Sequence, residues 1–369
     1  MKTQLVIFGI TGDLAQRKLL PALSSIIESG HNDLSIIGIS RQNVSSADVL
    51  KYHPELDSYT SVFTMNLAEP AEYNRLATHL GPVKDETQRL YYLSVPPGVA
   101  ADIADFLGEA GLSSSRENIL FEKPFGYDLE SAEEFIERTA RFYDEKQIFR
   151  IDHYMAKEVA KEILDLRMNA DTRHHHWNSK SVASVEVIAH EVLGVEGRAA
   201  FYEQTGAIRD VIQGHLMQLL SLVLMKPPRG DQVLSSVRLE ALQQVITVLP
   251  KDVQTSQYQG YRDEVESPNS TTETYAHLTL FSADPAWKGV PLILETGKKM
   301  PKKQTLVRVS YRDGGDDVFD ELLLAGTRFG KDAYERVLLD AISGRRDIFT
   351  TSSEVLESWR ILQPLFQHI

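Results

Sequence analysis

There is no cysteine among the 369 residues, so disulfides, thiolate metal sites and cysteine nucleophiles are all excluded. Nor is there an excess of positive charge. Lys and Arg number 39 against 52 Asp and Glu, a formal net charge of −13. That balance argues against nucleic acid or an anionic membrane surface as a partner. Long apolar runs are missing too: the longest, Leu216–Met225, is interrupted by Gln218 and Ser221 and is too short to span a bilayer. A strand-like run, Gln4–Phe8, begins almost at the first methionine, leaving no room for a charged leader, and the expectation is a cytoplasmic protein. No repeat or biased tract appears. Any anionic ligand must then be held by a few local basic residues, and each lysine or arginine in a motif carries weight.

At this length the expectation is two domains, residues 1–153 and 154–369, each able to build its own core. In the first, apolar runs at Leu5–Phe8, Leu34–Ile39, Val62–Met65, Leu90–Val95, Ile119–Phe121 and Ile148–Ile151 alternate with helical patterns at Leu14–Glu28, Glu69–Leu80, Val99–Ala110 and Leu129–Tyr143. Such alternation predicts an α/β, Rossmann-type, doubly wound parallel sheet, which binds ligands outside the carboxyl ends of its strands. In the second, Ser184–Ala189, Tyr275–Phe281 and Leu306–Tyr311 alternate apolar with polar residues, and helices are expected at Asp210–Met225, Asp231–Val248, Ala333–Ser343 and Ser353–Leu365. This half reads as an α+β domain with a large, mostly antiparallel sheet.

The first strand runs into GITGDLAQRK, Gly9–Lys18. Gly9 follows the strand, Gly12 allows close backbone approach, and Asp13 is placed to cap the next helix, the context a dinucleotide-binding turn needs. The second strand ends in Ser40-Arg41-Gln42 rather than in an acidic residue. A guanidinium there, with Lys18 nearby in the turn, suits a 2′-phosphate, so NADP is expected ahead of NAD. YYLSVPPG, Tyr91–Gly98, and FEKPFG, Phe121–Gly126, end the fourth and fifth strands, and proline after Lys123 fixes that residue in an extended conformation.

RIDHYMAKE, Arg150–Glu158, gathers a carboxylate, an imidazole, a phenol and an ammonium within six residues. A helix starting near His153 would bring Tyr154 and Lys157, and His153 and Lys157, onto one face, a seat suited to a phosphate. Further on, EGRAAFYEQTGAIRDVIQGHLMQ, Glu196–Gln218, carries Asp210 and His215, with Gly206 and Gly214 leaving space. GVPLILETGKKMPKK, Gly289–Lys303, is an apolar strand ending in a basic loop. The triple histidine His174–His176 reads as a polar loop, and no metal is expected.

Taken in order, GITGDLAQRKLLPAL, GISRQ, YYLSVPPG, FEKPFG, RIDHYMAKE, EGRAAFYEQTGAIRDVIQGHLMQ, GVPLILETGKK, YERVLLDAISG and ESWRILQPL resemble the glucose-6-phosphate dehydrogenase family nearly end to end. The resemblance implies a pentose-phosphate-pathway enzyme that moves hydride from C1 of glucose 6-phosphate to NADP, with NAD as the weaker acceptor. It implies His215 as general base and Asp152 as its partner. His153, Tyr154 and Lys157 would hold the 6-phosphate, and Lys123 would bridge substrate and cofactor. Glu196, Asp210, Lys298 and Lys303 would serve the sugar. Gly9, Thr11, Gly12, Asp13, Leu14, Arg41, Pro96 and Lys123 would serve the dinucleotide, in a homodimer. Ala156 stands where the family has glycine, Gly214 where it has asparagine, Lys303 where arginine is common, and the chain is shorter than familiar members. A related sugar or sugar-phosphate dehydrogenase, or a non-catalytic nucleotide-binding paralogue, are the alternatives.

Overall fold

The computed structural model describes residues 1–168, 177–325 and 332–366, so the triple histidine lies outside the described residues. The chain forms two compact units. One comprises Met1–Phe125, Glu133–His153 and Lys331–Ser352, and the other Gly126–Ala132, Tyr154–Gly330 and Ser353–Ile369.

Six strands of the first unit are parallel: β1 (Lys2–Phe8), β2 (Leu34–Ser40), β3 (Thr60–Thr64), β4 (Thr87–Leu93), β5 (Glu117–Phe121) and β6 (Ile148–Ile151). Leu5, Val6, Ile7 and Phe8 of β1 are all fully buried, as are Leu90, Tyr91 and Tyr92 of β4. Such continuous apolar runs are what a parallel sheet covered on both faces requires. The spatial order β6-β5-β4-β1-β2-β3 reverses direction between β1 and β4. That crossover opens a crevice at the carboxyl ends of those two strands, where doubly wound sheets bind ligands.

The sequence pattern predicts two continuous domains. Instead, residues near 332–352 return to the first unit. Helix α1 (Leu20–Glu28) receives the apolar side of a later helix, Ala333–Ser343, whose Val337, Leu338 and Ala341 are buried. A short antiparallel strand, Phe349–Thr350, then extends the sheet beside β6, and Phe349 meets Phe149 edge to face at 4.7 Å. No local period announces a return of this kind, because the face it covers lies more than 300 residues upstream.

The second unit holds a six-stranded sheet of β7 (Val182–His190), β8 (Val253–Ser256), β9 (Tyr275–Leu280), β10 (Leu292–Gly297), β11 (Gln304–Tyr311) and β12 (Asp316–Asp320), in the order β12-β11-β7-β10-β9-β8. Among these described strands only β7 and β10 pair in parallel. One face is the core: Val185, Val187, Leu278, Leu292, Leu294 and Val307 are at or near zero exposure beneath buried helices. The longest apolar run of the sequence belongs to one of these, α2 (Met217–Leu224), in which every residue is buried. No helix among the described residues is long and apolar enough to cross a membrane.

On the opposite face, the register sets Ile293 between Glu186 and Thr279, and Ile188 between Glu295 and Leu306. Glu186 and Arg308 pair at 2.8 Å, and Glu295 is held by His190 at 2.8 Å and His277 at 3.0 Å. The helix expected over Asp231–Val248 covers only Leu234–Gln243. The β-branched stretch Val245–Val248 lies outside the helix instead, with Val245 forming a β-bridge to Ser282, as such residues favour.

Candidate functional site

The turn after β1 is built on Gly9. Its φ is +80°, and a Cβ there would lie 2.2 Å from the carbonyl oxygen of Ser94, just past β4. Only glycine permits both the left-handed backbone and this approach. Gly12 N–H donates to the Gly9 carbonyl at 2.9 Å and closes the turn. Beside it a cleft of about 390 Å³ is lined by Gly9, Thr11, Gly12, Ser40, Arg41 and Pro96, with Asn66, Val99 and Asp102 among others. The one carboxylate among its described lining residues, Asp102, is engaged by Arg138 at 2.5 Å. A glycine cradle at the sheet crossover, with a guanidinium where the second strand ends, fits a nicotinamide dinucleotide.

Of the residues expected here, Gly9, Thr11, Gly12, Arg41 and Pro96 line the cleft, while Asp13, Leu14 and Lys123 do not. Asp13 does not cap the helix. Its carboxylate pairs with Arg17 at 2.7 Å, the (i, i+4) partner on an exposed helical face. Lys18 likewise turns to Asp332, at 3.6 Å.

At the ends of β5 and β6 the first unit presents Glu122, Lys123, Asp152 and His153. The Lys123–Pro124 peptide is cis. Asp152 is 2% exposed, and the ring of His153 stacks on Tyr334 at 6.1 Å. Burial pushes the Glu122 carboxyl up to about 7, although the Tyr92 hydroxyl donates a hydrogen bond to it and the Lys123 ammonium is nearby; Asp152 adds to the rise. Glu122 and Tyr334 were not identified from sequence. The signals were there, in the glutamate of EKPFG and the tyrosine of YERVLLDAISG, but neither spacing says what it meets.

In the second unit the chain turns through Tyr154–Lys157, and the helix α3 (Glu158–Met168) begins later than the expected start near His153. Tyr154, Met155 and Ala156 are all buried, and consecutive burial does not suit a one-sided helix. The turn still brings two of the expected residues together: Lys157 N–H donates to the Tyr154 carbonyl at 3.1 Å, and its ammonium lies 3.6 Å from the Tyr154 ring centroid. The Tyr154 ring also stacks on the imidazole of His215, centroids 4.2 Å apart and planes 16° apart. His215 is 5% exposed, near the end of a π-helical segment, Ile208–Leu216, a winding often found at functional sites.

That segment starts at a kink. Gly206 has φ +63°, and a Cβ on it would strike the Glu273 carboxylate, which accepts from Ile208 N–H at 2.9 Å. The space expected beside Gly206 is therefore filled, by a carboxylate capping the helix that carries His215. Asp210 is half-buried in the same segment, and Lys298 is 8% exposed, paired with Glu191 and 5.0 Å from the Tyr202 ring. Burial, then Asp210, Glu273 and Glu191, hold the Tyr202 phenol well above its usual range. Asp210 and Lys298 thus share one tyrosine that was not singled out from sequence. Glu196 is exposed, and its N–H donates to Glu264 at 2.8 Å. Lys303 is exposed in the loop before β11.

Residues 6–162 match the profile of the glucose-6-phosphate dehydrogenase NAD binding domain, and residues 164–323 and 323–369 match that family's C-terminal domain. The chain belongs to the glucose-6-phosphate dehydrogenase family. It is 30% identical to the glucose-6-phosphate 1-dehydrogenase of Chlamydia muridarum, covering 98% of this chain and 89% of that protein. It is 35% identical to the Helicobacter pylori J99 enzyme, covering 83% and 75%. A solved glucose-6-phosphate dehydrogenase in complex with its substrate glucose-6-phosphate superposes with TM-score 0.89 at 26% identity, covering all of this chain and 91% of that one. The Mycobacterium avium enzyme superposes with TM-score 0.87 at 29% identity, covering 100% and 92%. The alignment to the Chlamydia protein spans 453 positions against 369 residues here, so the relative carries segments inside the matched region that this chain does without.

As a family member the chain is an oxidoreductase whose first unit binds a nicotinamide dinucleotide. The Glu122 carboxyl gives a pH test of that unit. Unfolded, a glutamate titrates near its ordinary value of 4.5; folded, near 7. Below 4.5 both states are protonated and nothing is lost. As pH rises from there to about 7 only the unfolded state ionises, so the stability this group contributes declines, then levels off. Glu122→Gln is expected to flatten that decline in urea unfolding followed by circular dichroism between about pH 5 and 8; an unchanged slope would contradict the assignment.

Proposed function

We propose that this chain is a glucose-6-phosphate dehydrogenase of the pentose phosphate pathway, oxidising glucose 6-phosphate at C1 to 6-phosphogluconolactone in the cytoplasm, with NADP preferred over NAD. One observation carries the reading: an ammonium, Lys157, and an imidazole, His215, both face the ring of Tyr154, at 3.6 Å and 4.2 Å. A cation suited to a phosphate and a base suited to a hydroxyl thus both neighbour one aromatic ring, which supports a seat for a phosphorylated sugar.

Oxidising a hemiacetal carbon needs a base near neutral pKa, and imidazole is such a group. His215 takes the proton of the 1-hydroxyl as C1 becomes a carbonyl carbon. Asp152 is read as the carboxylate that orients the imidazole and favours its cation. Tyr154, Lys157 and His153 hold the 6-phosphate, while Glu196, Asp210, Lys298 and Lys303 bind the sugar. The dinucleotide, when bound, accepts the hydride. Gly9, Thr11, Gly12 and Pro96 hold its phosphates and nicotinamide half, and Lys123 bridges it to the sugar. Arg41 supports the preference for NADP, since it lines the cleft at the end of β2 between Ser40 and Gln42, with no acidic residue next to it in the chain.

His215→Asn removes the base and replaces the stacked imidazole by a smaller planar, uncharged amide. Turnover of glucose 6-phosphate is expected to fall by about 10²–10⁴ with KM little changed; a smaller loss would reject His215 as base. The homodimer expected from the family is read onto the polar face of the second unit's sheet. There the partly exposed Ile188 and Ile293 form an apolar centre ringed by the Glu186–Arg308 and Glu295–histidine pairs, the anatomy of an interface core with a polar rim. Wild type is expected to sediment as a dimer and Ile188→Glu as a monomer. A wild-type monomer, or an unaffected variant, would overturn this choice of surface.

A further inference from the structure

Lys157 is already matched to an anion. Its ammonium lies 3.0 Å from a carboxylate oxygen of Glu321 and 3.2 Å from the Thr305 hydroxyl, and the two ionic side chains are only 14% and 29% exposed. Glu321 opens a short helix directly after β12, just before residue 323, where the two matched pieces of the family's C-terminal domain meet. Burial pushes its carboxyl up, but the Lys157 ammonium, the Thr305 hydroxyl and the Lys303 ammonium outweigh that and hold it below the usual range. It is therefore an anion at any working pH.

A phosphate dianion arriving at Lys157 meets a carboxylate already bonded to that ammonium. Two like charges at one partly buried cation repel, so the ion pair must loosen before the phosphate can gain its full contact. We infer that Glu321 is a built-in competitor for the phosphate seat, a specificity-determining carboxylate that occupies Lys157 in the free enzyme and yields it to the 6-phosphate of the sugar. This rests on the reading of Lys157 as a phosphate holder. It gives Glu321 a role in how tightly a phosphorylated sugar binds and none in the oxidation at C1. A carboxylate that merely tethers Lys157 in a useful position would behave in the opposite way, since removing it would loosen the ammonium and weaken phosphate binding.

Glu321→Gln keeps the side chain's size and removes its charge. Against wild type it is expected to lower both the KM for glucose 6-phosphate and the inhibition constant of inorganic phosphate, each by about fivefold, the span of a partly solvated ion pair. The gap should narrow as salt is raised. Calorimetric titration of inorganic phosphate into the two cofactor-free proteins gives a readout independent of turnover, with tighter binding expected in the variant. Unchanged or weaker phosphate binding in the variant overturns the inference, whatever the turnover. If wild type binds phosphate less tightly than the variant yet oxidises no glucose 6-phosphate, the functional reading fails and the competitor role stands. If neither protein binds phosphate, both fall.

Discussion

The constraint on which the rest depends is charge. A chain of formal net charge −13 that handles anionic ligands cannot rely on a broadly positive surface. It must aim individual cations, and a cation left unmatched in a partly buried place is costly. Several described lysines and arginines follow this pattern. Lys157 is held by Glu321, Lys298 by Glu191, and Lys18 by Asp332, while Arg138 neutralises the carboxylate of Asp102 in the dinucleotide cleft. On the reading of Lys157 as a phosphate holder, selectivity would depend on how easily its pair with Glu321 exchanges the carboxylate for a phosphate, as much as on the number of positive charges present.

The backbone supplies the precision. Gly9 lets the first turn approach Ser94 more closely than any side chain would allow, which fixes the cleft at the crossover of the parallel sheet. Gly206 performs the corresponding service in the second unit: its kink admits Glu273, and that carboxylate caps the π-helical segment bearing His215. The RIDHYMAKE tract runs through the point where the chain passes from one unit to the other, with Asp152 and His153 in the first and Tyr154 and Lys157 in the second. Residues 152–157 thus fall on both sides of that division, and the density of polar groups makes the tract conspicuous from its amino acids alone.

What could be read in the sequence was local. The alternation of strand and helix patterns, the glycines after β1, the arginine after β2 and the strand-end motifs all follow from short-range stereochemistry and burial, and each appears in the fold. What could not be read depends on partners distant in the chain. Asp13 is the exception: its partner Arg17 is only four residues on, and the (i, i+4) pair simply wins over the cap on an exposed helical face. Nothing near Lys157 names Glu321, 164 residues away, and nothing in Ala333–Ser343 says that it would return to α1 and set Tyr334 against His153. The helix begins at Glu158 rather than near His153 for a related reason: Tyr154, Met155 and Ala156 are buried in succession, which an amphipathic period does not describe.

The most direct test offers glucose 6-phosphate and free glucose in turn to the folded protein, with NADP and NAD supplied separately, and follows the absorbance of the reduced cofactor. The account predicts rapid reduction with glucose 6-phosphate and NADP, slower reduction with NAD, and little with free glucose. Equal turnover of free glucose would contradict a phosphate seat at Lys157, and no reduction in any combination would contradict the assigned activity itself.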